Sequence, residues 1–389
     1  MTNNNIFNGL KVLVTDANNR ITLAIIRALG RTGAKITAVE QEPFALKTPI
    51  GFYSKYVSNT FIIPSLETED KCLIKLLAYA KGHDIILPVS INMVLAVVKN
   101  RAIFEKEGIA VPYANIDKIK TANNKSKLLD LAQKFGVPIP KTQRLSSTSE
   151  LSRLKNELLF PIVIKITNDE GLYLPPEKRY AIVRKPEHLE KTYQEIHQIK
   201  EFPLIQEYIE GDGYGFSALL DKNSEVKAIF CHKRIREYPP SGGPSVLCES
   251  IYDPVLVESG IKLLRAINWQ GIAMVEFKKD KRDNTYKLME INPRFWGSLP
   301  LAIFSGVNFP YLLCQCVSGK ILQPVLKYQV GVKVRFTLLD LISLYGRLKK
   351  GNIKSAHDFI TNFFDTNIKE GLLDWSDPRP FFRYLINHL

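Results

Sequence analysis

Between Met274 and Arg294 two carboxylates and a carboxamide are set among apolar residues. Met274-Val275-Glu276-Phe277 and Tyr286 through Asn292 alternate as strands do, and Asp283-Asn284 between them is turn chemistry, so the segment reads as a β-hairpin. If the hairpin is symmetric about Asp283, Glu276 lies opposite Glu290. Like charges facing each other across a sheet repel. A hard divalent cation between them removes the repulsion, and Asn292, two residues beyond Glu290 on the same face, adds a third oxygen. A solvated hairpin face would not need Met274, Val275, Leu288 and Met289 around those charges.

Composition frames that reading. The chain has 389 residues, 45% hydrophobic and 24% charged, which suits an ordinary globular protein of two or three domains. Met1 to Asn5 is polar, and no apolar run approaches the ~20 residues of a membrane span, so a cytoplasmic protein without a membrane partner is expected. Cys72, Cys231, Cys248, Cys314 and Cys316 form no C-x-x-C pair and read as reduced thiols. The net charge of +14 is scattered along the chain, without a zinc-finger, RNP or basic-zipper pattern; it suits a polyanionic nucleotide or acidic substrate and points away from nucleic acid.

The first third alternates strand and helix. Leu10 to Asp16 is an apolar strand, Ile21 to Leu29 an amphipathic helix, and Ile36 to Val39 a second strand. Asp84 to Val89, a helix from Asn92 to Arg101, and Ile109 to Pro112 continue the pattern. Asn18, Asn19 and Arg20 stand where a dinucleotide-binding turn needs glycines, so this unit reads as a scaffold with room for substrate contacts. A second unit starts near Ile116. A helix from Asn124-Lys125 to Phe135 is closed by Gly136. Strands at Phe160 to Ile166 and Tyr180 to Val183 flank a polar loop, Asn168 to Arg179. After a helix from Glu187 to Gln198, Leu204 to Ile209 runs into the turn Glu210 to Gly213. Strands follow at Gly215 to Leu220 and Val226 to His232, then a helix opened by Asp253-Pro254.

These pieces together resemble the ATP-grasp superfamily of carboxylate-amine ligases, from Asn124 to Gly319. The string Glu290-Ile291-Asn292-Pro293-Arg294 is similar to that family's metal-binding signature, with the arginine facing the reacting phosphoryl group, and Glu276 falls where the family places its other metal-bridging acid. Lys125 and Lys165 match the two lysines that contact nucleotide phosphates, and Gln206-Glu207-Tyr208-Ile209 matches the hinge that grips adenine. Asp212 is the nearest match to the acid that binds ribose. The loop covering the phosphates departs from the pattern, having only Gly171 with Pro175-Pro176 inside it.

The resemblance implies a Rossmann-like parallel α/β domain at 1–115 followed by an ATP-grasp fold of two α+β subdomains, at 116–200 and 201–323, with a C-terminal extension at 324–389. It implies ATP and magnesium, with manganese as a substitute, small carboxylate and amine substrates, and room for a homodimer. The expected activity is ATP-dependent ligation through an acyl phosphate. Alternatives are a bicarbonate-activating carboxylase or carbamoyl-phosphate-synthetase-like enzyme, and a nucleotide-binding regulator without turnover, which the glycine-poor loop favours. Lys233, Arg234 and Arg236, followed by the loop Pro239 to Ser245, combine three cations with backbone N–H groups free to approach an anion, and read as the clamp on the acyl substrate. The bland alternative is a charged strand end. Lys165 and Arg294, taken singly, also read as a snorkelling lysine and a structural ion pair.

Overall fold

The computed structural model describes residues 7–172, 174, 178–239, 243–319, 322–349, 359–361, 365 and 367–388. Its first sheet is parallel, with strands β1 (Lys11–Val14), β2 (Lys35–Gln41), β3 (Val57–Ile63) and β4 (Ile85–Leu87) in the order β3-β2-β1-β4. Val12, Leu13 and Val14 are buried on both faces of β1, which is why this strand reads as an unbroken apolar run. Helix Arg20–Gly30 follows it, capped by Asn19, whose side chain accepts from the Ile21 N–H at 2.9 Å. Strands β2 and β3 lie to one side of β1 and β4 to the other, so chain direction diverges there and leaves a crevice at the carboxyl ends of β1 and β4. Asp16 closes its floor by accepting from the N–H groups of Val89 and Ser90 at 3.1 and 3.0 Å. β3 and helix Glu69–Ala80 escaped the sequence reading, since β3 is an edge strand with Ser58, Asn59 and Thr60 exposed.

A second, antiparallel sheet holds β5 (Thr142–Gln143), β8 (Leu204–Glu207), β6 (Ile162–Lys165) and β7 (Tyr180–Val183) in the order β5-β8-β6-β7, and helices Leu151–Glu157 and Leu189–Ile199 bury its apolar face. The largest sheet runs β13 (Tyr286–Asn292), β12 (Gly271–Lys279), β9 (Gly213–Leu220), β10 (Val226–Glu237), β11 (Ser245–Ile251), β14 (Lys333–Arg335) and β15 (Ile368–Glu370). Helix Lys125–Lys134 is pinned to the second sheet by the Lys125 N–H, which donates to the Thr167 carbonyl at 2.8 Å. The helix ends before Gly136, which takes φ +66°, as its place in the sequence predicts.

Three features differ from the sequence reading. The hairpin does set Glu276 opposite Glu290, but it is not symmetric about Asp283, because a bulge between Glu276 and Phe277 shifts the register on the turn side, where Lys278 faces Lys287. Strand β10 does not stop at His232 but runs to Glu237, carrying Lys233, Arg234 and Arg236 into the sheet. Residues after 323, read as an extension, supply β14 and β15 to the largest sheet. Among the described residues no helix is long and apolar enough to cross a membrane.

The far end of the chain is fastened to the first helix. Arg27 donates from Nε to Asp377 Oδ2 at 3.0 Å, from Nη1 to the Leu372 carbonyl at 2.6 Å and from Nη2 to the Asp377 carbonyl at 2.7 Å. Asp377 also accepts from Ser54 Oγ at 2.8 Å and the Lys55 N–H at 2.9 Å. All of the charge here is buried, so removing one partner strands the other in a low dielectric. Asp377→Ala is expected to lower unfolding stability by about 3–5 kcal/mol. Chemical denaturation checks this, and an unchanged midpoint would mean that the fastening contributes nothing.

Candidate active site

A cleft of about 890 Å³ lies between the second sheet and the largest sheet, and the first unit closes one end of it. Val163, Ile182, Tyr208, Ile209 and Met289 make one part of its wall apolar, a slot suited to a flat heteroaromatic ring. Tyr208 is flanked by Lys278, whose Nζ lies 5.4 Å from the ring centre and donates to the Ile209 carbonyl at 3.3 Å. Gln206 and Glu207 line the same region but spend their side chains on the scaffold. Gln206 Nε2 donates to Thr142 Oγ1 at 2.8 Å, while Glu207 accepts from the Lys141 N–H and from Arg282, both at 2.9 Å.

The opposite part of the cleft is charged. Glu276 and Glu290 face each other across β12 and β13, and Asn292 sits between them, its Nδ2 donating to Glu276 Oε1 at 3.0 Å and Glu290 Oε1 at 3.2 Å. Each carboxylate has its own cation: Arg234 at 2.5 Å from Glu276 and Lys125 at 3.2 Å from Glu290. Burial pushes the Glu290 carboxyl up, but Lys125, Lys165 and Arg294 outweigh it and hold it down at about 2. Glu276 is raised instead, by burial, with Arg234 opposing and the Glu290 charge adding to the rise. Lys165 is lowered to about 7, first by burial and then by Lys125. Two lysines held beside each other in a cleft wall repel as cations, which makes this part of the cleft receptive to an anion.

The donor set of Glu276, Glu290 and Asn292 is all oxygen once the Asn292 amide is turned over, which suits a hard cation such as magnesium. The described residues hold no cluster of three or more His, Cys, Asp or Glu side chains, so further ligands to such an ion would come from a nucleotide's phosphates and water.

The structure separates the three cations of the expected clamp. Arg234 lines the cleft, tied to Glu276 and to Glu237 at 3.2 Å. Arg236 is turned away, because a bulge between Arg234 and Arg236 reverses the alternation and aims it at helix Thr337–Leu348. There its guanidinium forks onto Asp340, Nε to Oδ1 at 2.8 Å and Nη2 to Oδ2 at 2.6 Å, with both residues buried, so it is a structural ion pair and not a clamp. Lys233 and Asp212 pair with each other at 2.7 Å, both partly exposed, and neither lines the cleft, whereas Gly213 does. Of the clamp loop, Pro240, Ser241 and Gly242 lie outside the described residues, as do Pro175-Pro176 of the phosphate-covering loop. Leu172 and Leu174 of that loop line the cleft, and Gly171 N–H donates to Asn92 Oδ1 at 3.2 Å.

Several cleft residues escaped the sequence reading. Lys278 sits two residues past Glu276, so the same alternation that found Asn292 from Glu290 would have found it. Ser90 and Asn92 come from the first unit, at the crevice where β1 and β4 diverge, beside Asn19 and Arg20, which the sequence reading named only for the glycines they replace. Ser298 contacts buried His232, Oγ to Nε2 at 3.2 Å, and burial followed by the Arg234 charge pushes that imidazole down to about 3, so it is neutral near pH 7.

Comparison with known proteins bears on the fold that carries this cleft. Residues 200–337, less than half of the chain, match the family described as ATP-grasp in the biosynthetic pathway with Ter operon. D-aspartate ligase from Enterococcus faecium is 24% identical over 210 residues, covering 51% of this chain and 50% of that protein. The chain spans half or less of the first curated relatives it matches. Biotin carboxylase from Campylobacter jejuni superposes with a TM-score of 0.66 at 19% identity, over 83% of this chain and 74% of that one. N5-carboxyaminoimidazole synthetase from Staphylococcus aureus, solved with ADP, gives a TM-score of 0.65 at 14% identity, over 85% and 82%. At these identities the structural likeness establishes the fold, which is ATP-grasp.

Two outcomes follow from the geometry. Arg236→Ala is expected to lower unfolding stability by about 3–5 kcal/mol, since it strands Asp340, while ADP affinity measured by calorimetry stays near wild type. The second concerns protons. Lys165, at about 7 in the free protein, is largely neutral at pH ~8 and charged at pH ~6; bound phosphates raise its pKa again, so binding takes up a proton at the higher pH only. ADP titrations in two buffers of different ionisation enthalpy should show an uptake approaching one proton at pH ~8 in wild type relative to Lys165→Met, and none at pH ~6.

Proposed function

We propose that this chain, which has the ATP-grasp fold, is an ATP-dependent ligase that phosphorylates a substrate carboxylate and joins the resulting acyl group to an amine. The observation that carries the reading is the convergence of Glu276, Glu290, Asn292, Lys125, Lys165 and Arg294 on one cleft whose other end is an apolar slot. The likeness of about half of the chain to D-aspartate ligase supports it.

The chemistry follows from what a carboxylate lacks. It is a poor electrophile, because its leaving group would be an oxide. Attack by one carboxylate oxygen on the γ-phosphorus of ATP forms a C–O–P linkage and releases ADP; an amine then adds to the acyl carbon, loses a proton, and expels phosphate. Glu276, Glu290 and Asn292 would hold magnesium, which when bound neutralises phosphate charge and orients the transferring group. Lys125 and Lys165, beside Glu290, balance the remaining phosphate charge. Arg294 lines the cleft two residues beyond Asn292, with one Nη1 contact to the Phe295 carbonyl at 2.9 Å, and its other donors suit an oxyanion that grows during the reaction. Arg234 acts through Glu276, as a positioning residue.

ADP release measured against a matrix of small acids and amines tests the reading. A ligase shows turnover stimulated by one acid and amine pair. Glu290→Gln is expected to lower that kcat by at least ~100-fold, with the fold retained and ADP still bound. Turnover at the wild-type rate in the folded variant would remove the metal role, and nucleotide binding without turnover for every pair would favour a regulator.

A further inference from the structure

Arg20 is a half-buried cation without an anion among the described residues, and one arm of its guanidinium is buried outright. It opens helix Arg20–Gly30 and lines the cleft at the end closed by the first unit. Burial is the main influence on its guanidinium, with only Tyr384 and Cys248 contributing charge effects. Its Nη1 is buried with no hydrogen-bond partner, and its Cζ lies 4.1 Å above the centre of the Phe336 ring. Its Nη2 would sit 3.1 Å from a Cβ at position 297, so Gly297 leaves the space that the guanidinium occupies. Three neighbouring arginines are committed, Arg27 to Asp377, Arg234 to Glu276 and Glu237, and Arg236 to Asp340, whereas Arg294, like Arg20, has no carboxylate partner among the described residues.

An arginine does not shed its proton, so burial leaves Arg20 charged and in want of an acceptor. A ring face returns a fraction of the lost hydration, and an unused N–H directed into protein returns none. The residues sharing its end of the cleft are donors or small: Asn19, Ser90, Gly297 and Ser298, with Arg294 beyond. Trp296 Nε1, in the same wall, is also buried without an acceptor. The helix N-terminus at Arg20 adds positive potential in the same place.

We propose that Arg20 binds a substrate carboxylate other than the one that is phosphorylated. Resting on the ligase reading of the cleft, this assigns the substrate class: either the acid is a diacid or the amine is an amino acid that enters with its carboxylate ionised. A guanidinium matches a carboxylate in a two-pronged contact that a neutral substrate cannot make. In the free protein the site is a preformed cationic socket, filled only on binding.

The test uses the full chain saturated with ADP and magnesium, wild type against Arg20→Met. Probes are succinate and glutarate against propionate and butyrate, and alanine and glutamate against their α-amides, with affinity read by calorimetry. Wild type is expected to prefer the carboxylate-bearing member of at least one series, and Arg20→Met to bind that member at least ~10-fold more weakly, with ADP affinity unchanged. Loss confined to the diacids identifies the acid as the source of the carboxylate; loss confined to the amino acids identifies the amine. The thermal midpoint of Arg20→Met without ligand should equal or exceed wild type, because the substitution removes a charge that has no partner. Equal carboxylate affinities in the two proteins, no carboxylate binding to ADP-loaded wild type, or a large drop in the midpoint overturns the proposal. Failure of wild type to bind ADP would instead remove the reading on which it rests.

Discussion

Two carboxylates held face to face across a buried hairpin are a source of strain unless positive charge surrounds them, and much of this protein's charge is arranged around that fact. Glu276 and Glu290 share the Asn292 amide, and each is met from outside by a cation, Arg234 from β10 and Lys125 from the start of helix Lys125–Lys134. Lys165, from the second sheet, adds its field to Glu290. The pair thus draws three separate parts of the chain to one point, and the cleft is the space that remains among them. Such a centre is held together by its own charges in the absence of ligand.

Much of this was legible in the residues, since it depended on local alternation and on short motifs. The facing glutamates follow from strand periodicity and turn chemistry, although a bulge, which leaves no signature in a sequence with glycine absent, makes the hairpin asymmetric. The second bulge, at Ile235, had a greater effect. Arg234 and Arg236 are two apart and read as neighbours on one face, yet the extra residue sends one into the cleft and the other into an ion pair with Asp340, about a hundred residues away in sequence. Asp212 and Lys233 show the same limit: each reads as a partner for substrate, and only the fold reveals that in the free protein they are partners for each other. Arg20 was noted in sequence for the glycine it displaces, and what it displaces says nothing of what it faces.

The residues past 323 were silent in the sequence because their two strands are three residues long and acquire meaning only beside β11. Short edge strands of this kind carry no periodicity of their own. In the molecule they bring Phe336 under Arg20 and Asp340 under Arg236, so a region without motifs sets the position of two arginines that differ in role.

The fastening of Arg27 to Asp377 has a consequence for the protein's birth. The parallel sheet of the first unit and its helix can assemble early on the ribosome, but the carboxylate that answers Arg27 is 350 residues further along. At ~5–20 residues per second, a buried-to-be guanidinium stands without its counter-ion for roughly 20–70 s, exposed with the apolar surface that residues 372–388 later cover. Translation itself therefore sets a window in which the parallel sheet and its first helix are in place and still incomplete, and residues 372–388 are the ones that seal them.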